Sequence, residues 1–326
     1  MSHKSKECFT VQIKHALDAR LAIGESKATA KKARTSSGRR ESDEKIYSWN
    51  TYRAYMQHAN YFARWIEEKH PKCKTLAQAR RFVDDWLLER INQGKSAYTV
   101  KLEAAALAKV YGCSTKEFMK TPERIRSEIV RSRGEKVRDA HFSEAKNMDL
   151  VTFCRCTGLR RAELEKIRGD QLIRNNDGSY SVQVISGKGG RDRVPPVIGS
   201  PEEVQTVVRI MKAAGHGKVW EKIHNALDVH ALRAEYATRV YRKHARSIES
   251  LRGMIMPDPD RRGKYVSVIY KCRGEYTGQV YDRAALLAAS KALGHNRVSV
   301  VAEHYLWGMS NDRTRRKDRK RGRRTL

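Results

Sequence analysis

Three consecutive stretches between Ser48 and Gly112 repeat apolar residues at the period of a buried helix face. In the first, Tyr52, Tyr55, Met56, Ala59, Phe62, Ala63 and Ile66 share one side. Thr75 is placed to cap a second, with Leu76, Ala79, Val83, Trp86 and Leu87 inward and Gly94 near its end. Ser96 is placed to cap a third, with Leu102, Ala105, Ala106 and Val110 inward and Gly112 as its stop. Ser114 to Glu117 reads as the capping box of a short fourth helix. Thr121-Pro122 starts a fifth, because proline is tolerated at the first helical position. Helices with one apolar stripe each must bury those stripes against one another, so the pattern predicts a small helical domain over 45–134. Before it, Ile13, Leu17 and Leu21 recur every four residues and predict one short helix closed by Gly24. The Lys/Ser/Arg-rich stretch to Arg40 then reads as linker, so 1–44 forms a basic N-terminal helix and linker.

After a densely charged stretch at 131–139, read as a second linker, helical periodicity resumes from Ser143 and changes near Asp170. Asn175-Asn176-Asp177-Gly178 is a turn signal, followed by the strand-like SYSVQVIS. Gly187-Lys188-Gly189-Gly190 is a second turn, from which RDRVPPV can return as a strand. Helices resume around Pro201 and His230. The second domain, 140–310, is thus mainly α with a small β-sheet or hairpin.

Charge narrows the function. The chain has 67 Lys and Arg against 37 Asp and Glu, a net charge of +30. Such self-repulsion destabilises a compact protein and calls for a polyanionic partner, DNA or RNA first. Residues 1–40 carry 10 basic and 3 acidic groups, and residues 311–326 carry 9 and 2. Nearly half of the excess therefore sits on two short ends, which read as arms rather than core, the second being a basic C-terminal tail. No stretch approaches the ~18 apolar residues of a membrane helix, and MSHKSKECFT lacks the apolar run of a signal peptide. A cytoplasmic, nucleoid-associated protein is expected. The six cysteines contain no CxxC, and Cys154 and Cys156 lack further ligands at zinc spacing, so all six are read as reduced. No metal or other cofactor is expected.

Four separated segments carry the chemistry. TGLRRAEL holds Arg160 and Glu163, ISGKGGRDRVP holds Lys188, HALR holds His230 and Arg233, and LGHNRVSVVAEHY holds His295 and Tyr305. Two guanidiniums suit the non-bridging oxygens of a phosphodiester, because each offers paired, geometrically fixed donors; Arg160 and Arg233 fit that role. Tyrosine forms covalent intermediates but is a weak nucleophile at its free pKa of ~10, and neighbouring cations favour its phenolate.

In order and form these four boxes resemble the tyrosine recombinase (phage integrase) family of site-specific DNA recombinases. The resemblance covers the whole second domain, and the helical domain before it looks like the core-binding domain of that family. It implies a two-domain, C-shaped DNA clamp. It implies Tyr305 as nucleophile, Lys188 as general acid for the leaving 5′-oxygen, and His230 in proton transfer. His295 would donate a hydrogen bond to the phosphate, and Glu163 would support the arginine and histidine network. The implied partners are double-stranded DNA at specific recombination sites and three further copies in a homotetramer. Accessory DNA-bending proteins are compatible with this. The implied reaction cleaves and rejoins strands through a 3′-phosphotyrosyl intermediate and a Holliday junction, integrating or excising a mobile element. Two rival readings are a type IB topoisomerase-like strand relaxation and a catalytically inert DNA-binding regulator.

Two features depart from the family pattern. The gap from His295 to Tyr305 is ten residues, about one more than is common. Arg233 and His295 are 62 residues apart where one helix and a connector of about 25 residues would serve. The extra segment, about 253–282, is basic and rich in β-branched and aromatic residues and is read as one two-stranded hairpin around Gly274.

Overall fold

The computed structural model describes residues 7–36, 44–125, 142–187, 190–258, 262–295 and 297–306. Lys188, the 131–139 stretch and the basic tail lie outside the described residues. The chain is mainly helical with short antiparallel strand pairs, and it divides into two compact units, Met1–Ile129 and Val130–Leu326. No helix among the described residues is long and apolar enough to cross a membrane.

In the first unit, α3 (Trp49–Lys69) packs on α6 (Ala97–Tyr111), and α1 (Phe9–Asp18) packs on both. The expected caps form: Ser48, Thr75 and Ser96 accept from backbone N–H groups three residues on, and Gly112 ends α6 in the left-handed conformation at φ 66°. Thr75 opens the short α4 (Leu76–Ala79), which passes through a 3-10 turn into α5 (Val83–Asn92). Phe62, Trp65 and Trp86 meet with ring centroids 5.7–6.3 Å apart at the centre of the core. Glu103 is fully buried there, held by Arg90 at 2.9 and 3.0 Å.

Three expectations are corrected in this unit. Residues 9–18 belong to the core rather than to an arm: Phe9, Ile13 and Leu17 are buried in the same core as Phe62, and Tyr52 donates to Asp18 at 2.6 Å. Lys27–Ser36, read as linker, is a helix, α2; its Ala, Lys and Arg content favours helix even without an apolar face. No helix begins at Pro122 within the described residues, since 121–125 have no regular structure.

Among the described residues of the second unit, a 3-10 turn (Ala145–Asn147) leads into α7 (Met148–Thr157), followed by the short α8 (Arg161–Leu164). Strand β1 (Leu172–Arg174) pairs with β2 (Tyr180–Val182) across the Asn175–Gly178 turn. Strand β3 (Val184–Gly187) pairs with β4 (Arg191–Arg193), with Val184 opposite Arg193. Then α9 (Pro201–Ala214) packs on α7, and α10 (Val229–His244) packs on α7 and on α11 (Arg283–Ala292), which in turn meets α12 (Val298–His304). Cys154 and Cys156 are buried beside Phe153, and burial pushes their thiols up to about 12 and about 11.

The insertion is two hairpins, not one. Strand β5 (Ile255–Pro257) pairs with β6 (Tyr265–Ser267), and β7 (Ile269–Lys271) with β8 (Val280–Asp282). The first leaves Ile255 and Tyr265 66% exposed. The second buries Cys272 and Tyr281, Tyr281 lying edge-on to Tyr241 of α10. Asp282 is fully buried, receives Arg246 at 2.8 and 3.0 Å, and caps α11 through the Ala284 N–H. The insertion thus joins the far ends of the antiparallel pair α10 and α11, leaving their other ends to meet near Arg233 and Leu293.

Candidate active site

The first box follows from how α7 ends. Gly158 turns the chain with φ 61°, and a β-carbon there would run into the ring of the fully buried Tyr236. Leu159 is buried, and Arg160 leaves the turn in extended conformation. Glu163 folds back to accept from the Arg160 backbone N–H at 2.7 Å and from its Nη1 at 2.8 Å. The second arginine of TGLRR faces elsewhere: Arg161 donates to the carbonyls of His224, Asn225 and Leu227, tying down the loop that leads into α10.

Asp228 caps α10 by accepting from the His230 and Ala231 N–H groups, which places His230 and Arg233 one turn apart at the helix start. Arg233 is 3% exposed. Its Nη1 donates to the Gly158 carbonyl and its Nη2 to the Leu293 carbonyl. Arg160 Nη2 donates to that same Leu293 oxygen at 3.0 Å. The two guanidiniums are therefore tethered to one main-chain atom. Each terminal nitrogen carries two hydrogens, so such tethers leave donors for an anion.

Gly294, with φ 68°, turns the chain out of α11, and the single O–H of Ser290 is shared between the His295 carbonyl at 3.0 Å and the Arg297 carbonyl at 3.2 Å, which holds the following loop. His295 Nε2 lies 3.2 Å from the Tyr305 hydroxyl, and Arg233 Nε lies 3.5 Å from it. The His230 ring sits 5.3 Å from the Tyr305 ring, centroid to centroid. Tyr305 itself follows α12, its N–H bound to the Val301 carbonyl, and is buried.

Arg160, Glu163, His230, Arg233, His295 and Tyr305 are thus brought together. Lys188 lies outside the described residues, although both strands that flank it are described. Arg193 on β4 was not foreseen. Its Nη1 and Nη2 grip both oxygens of Glu163, at 2.7 and 2.6 Å. Nothing in RDRVP marks Arg193 as the residue that meets Glu163.

The electrostatics follow from burial. Desolvation would raise the Glu163 carboxyl, but the Arg193 fork and the Arg160 bonds outweigh it and hold the group at about 2. Burial, with the charges of Arg233, Arg160 and Arg193 added, pushes His295 down to about 4, so it is neutral at pH 7. Burial and the nearby Arg160 charge lower Arg233 to about 10, which still leaves it charged. Three cations against one carboxylate make a net positive pocket around a phenol.

The XerH site-specific recombinase, solved bound to a palindromic difH substrate in a post-cleavage complex, is similar over 98% of this chain and 97% of that one, with TM-score 0.53 and 13% identity. This chain has the tyrosine recombinase fold. The Tn1549 transposon integrase in complex with circular intermediate DNA covers 97% of this chain and 99% of that chain, with TM-score 0.41 and 13% identity. No protein-family model matches the chain, and no curated protein matches it in sequence. Within the recombinase fold the clustered side chains all come from the second unit, at the ends of α7, α10, α11 and α12 and on α8 and β4.

Proposed function

We propose that this chain is a site-specific DNA recombinase that cleaves and rejoins strands through Tyr305. The observation that carries the proposal is the Tyr305 hydroxyl lying between Arg233 Nε and His295 Nε2 in a positive pocket. In the first step Tyr305 Oη attacks the scissile phosphorus and passes its proton to solvent water or to the neighbouring His295 Nε2. The bond from phosphorus to the 5′-oxygen breaks, a 3′-phosphotyrosyl bond forms, and the 5′-oxygen leaves as a hydroxyl after taking a proton. Arg160 and Arg233 donate to the non-bridging oxygens, whose charge grows in the transition state. Neutral His295 has one ring nitrogen that donates and one that accepts, so it can bond the tyrosine or the phosphate. The resemblance assigns the proton for the leaving oxygen to Lys188, with His230 assisting.

Attack by a 5′-hydroxyl from another strand reverses the chemistry and releases Tyr305. The phosphotyrosyl bond preserves the energy of the broken linkage, so rejoining needs no nucleotide. On this reading two duplexes meet in a homotetramer, one strand pair at a time is exchanged through a Holliday junction, and a mobile element is integrated or excised. The net charge of +30 supports DNA as the partner, as does the post-cleavage DNA complex of a protein with this fold.

The test is a suicide substrate whose nicked fragment diffuses away after cleavage. The native protein is expected to become covalently linked to DNA. Tyr305→Phe keeps the ring and the phosphate contacts, so it should bind DNA as before and form no adduct. An adduct with the Phe variant would remove Tyr305 as the nucleophile. Relaxation of supercoils without a defined site would turn the reading toward a topoisomerase.

A further inference from the structure

Glu163 poses a problem for a phosphate clamp. It orders Arg160 through two hydrogen bonds, yet a buried carboxylate in direct contact also cancels the charge that a phosphate needs. Arg193 answers it. Its side chain is 8% exposed and grips both Glu163 oxygens, while its Nε donates to the Ala292 carbonyl at 3.2 Å. Its Cδ lies 3.0 Å from where a β-carbon on Gly294 would stand, so it also packs against the turn that leads to His295. With its charge spent on both Glu163 oxygens and its side chain buried, Arg193 holds other groups in place rather than reaching DNA.

We infer that Arg193 is a positioning residue of the phosphate clamp: by balancing Glu163 it keeps Arg160 ordered with its positive charge available to the scissile phosphate. The inference rests on the strand-cleavage reading above. Without Arg193, Glu163 and Arg160 form a neutral pair and only Arg233 remains uncompensated. The loss is then one of charge at the phosphate, and it is relieved by removing the carboxylate as well.

Three variants of the full chain test this in single-turnover cleavage of the suicide substrate. Arg193→Gln should slow adduct formation about 10–100-fold, the scale of a misplaced catalytic group, with DNA affinity within about twofold. Adding Glu163→Gln should recover at least about fivefold over the single variant, as coupled neighbours do. On a substrate with a neutral methylphosphonate at the scissile position, Arg193→Gln should fall within about threefold of the native protein, because that phosphorus centre needs less cationic compensation. Arg193→Lys keeps the charge and loses the fork, so it should lie between the two, and it carries the comparison if the Gln variant does not fold. An equal defect on both substrates, or a double variant slower than the single, would reduce Arg193 to a structural residue and overturn the inference. A native protein that forms no adduct would instead remove the strand-cleavage reading and this inference with it; native cleavage with an unimpaired Arg193→Gln removes the inference alone.

Discussion

His295 shows how far a side chain can be moved by its surroundings. Its unfolded pKa is ~6.5, and burial with the Arg233, Arg160 and Arg193 charges brings it to about 4. As pH falls, the unfolded chain therefore takes up this proton before the folded one. The stability that comes from keeping His295 neutral is complete above ~6.5 and is lost as pH falls through about 4. His295→Gln should accordingly flatten the fall in Tm between those limits, and parallel curves for the two proteins would refute the shift. The residues of this site were legible in unequal measure. Arg160, Arg233, His295 and Tyr305 stand in sequence boxes whose order carries meaning. Arg193 stands in one too, but its partner Glu163 is 30 positions away on α8, a tertiary contact that no local pattern encodes.

Among the elements, those defined by their own residues were readable and those defined by a neighbour were not. Ser48, Thr75, Ser96 and Gly112 mark helix ends through bonds to their own segment. The charge of the first forty residues pointed to an arm, whereas the Ile13 and Leu17 spacing decided their burial in the core. In the insertion, one run of strand-forming residues hid two hairpins of opposite character. The hairpin of β7 and β8 shares the core with α10 and α11, so Tyr281→Ala should cost about 3–5 kcal/mol, the usual loss for a large buried ring. Replacing 255–266 by a short Gly/Ser link removes side chains that, among the described residues, are mainly exposed, and the protein should melt within a few degrees of the native one, as expected for changes of about 0.5 kcal/mol. Replacing 257–280 should instead unfold the second unit. Circular dichroism melts of the three variants decide the matter; equal melting temperatures would show that β7 and β8 are dispensable.

For the whole molecule, charge sets how binding responds to salt. Each phosphate neutralised by a lysine or arginine releases counterions, so the slope of log affinity against log salt counts those contacts. Residues 313–326 hold nine basic groups and one acidic group. Their removal should weaken DNA binding and flatten the slope, as read by fluorescence anisotropy across a salt series; an unchanged slope would leave the tail without a DNA role. The candidate site obeys a different rule from the tail, because the two guanidiniums proposed to hold the phosphate, those of Arg160 and Arg233, are fastened to the carbonyl oxygen of Leu293. A codon change at position 293 alters what hangs from the backbone and leaves that oxygen in place. Only a changed chain path removes it, and the path is guarded by Gly158 and Gly294, where an added methyl group meets Tyr236 or Arg193. The lineage of such a protein can therefore drift widely in the residues around the clamp while two glycines bear the burden of inheritance.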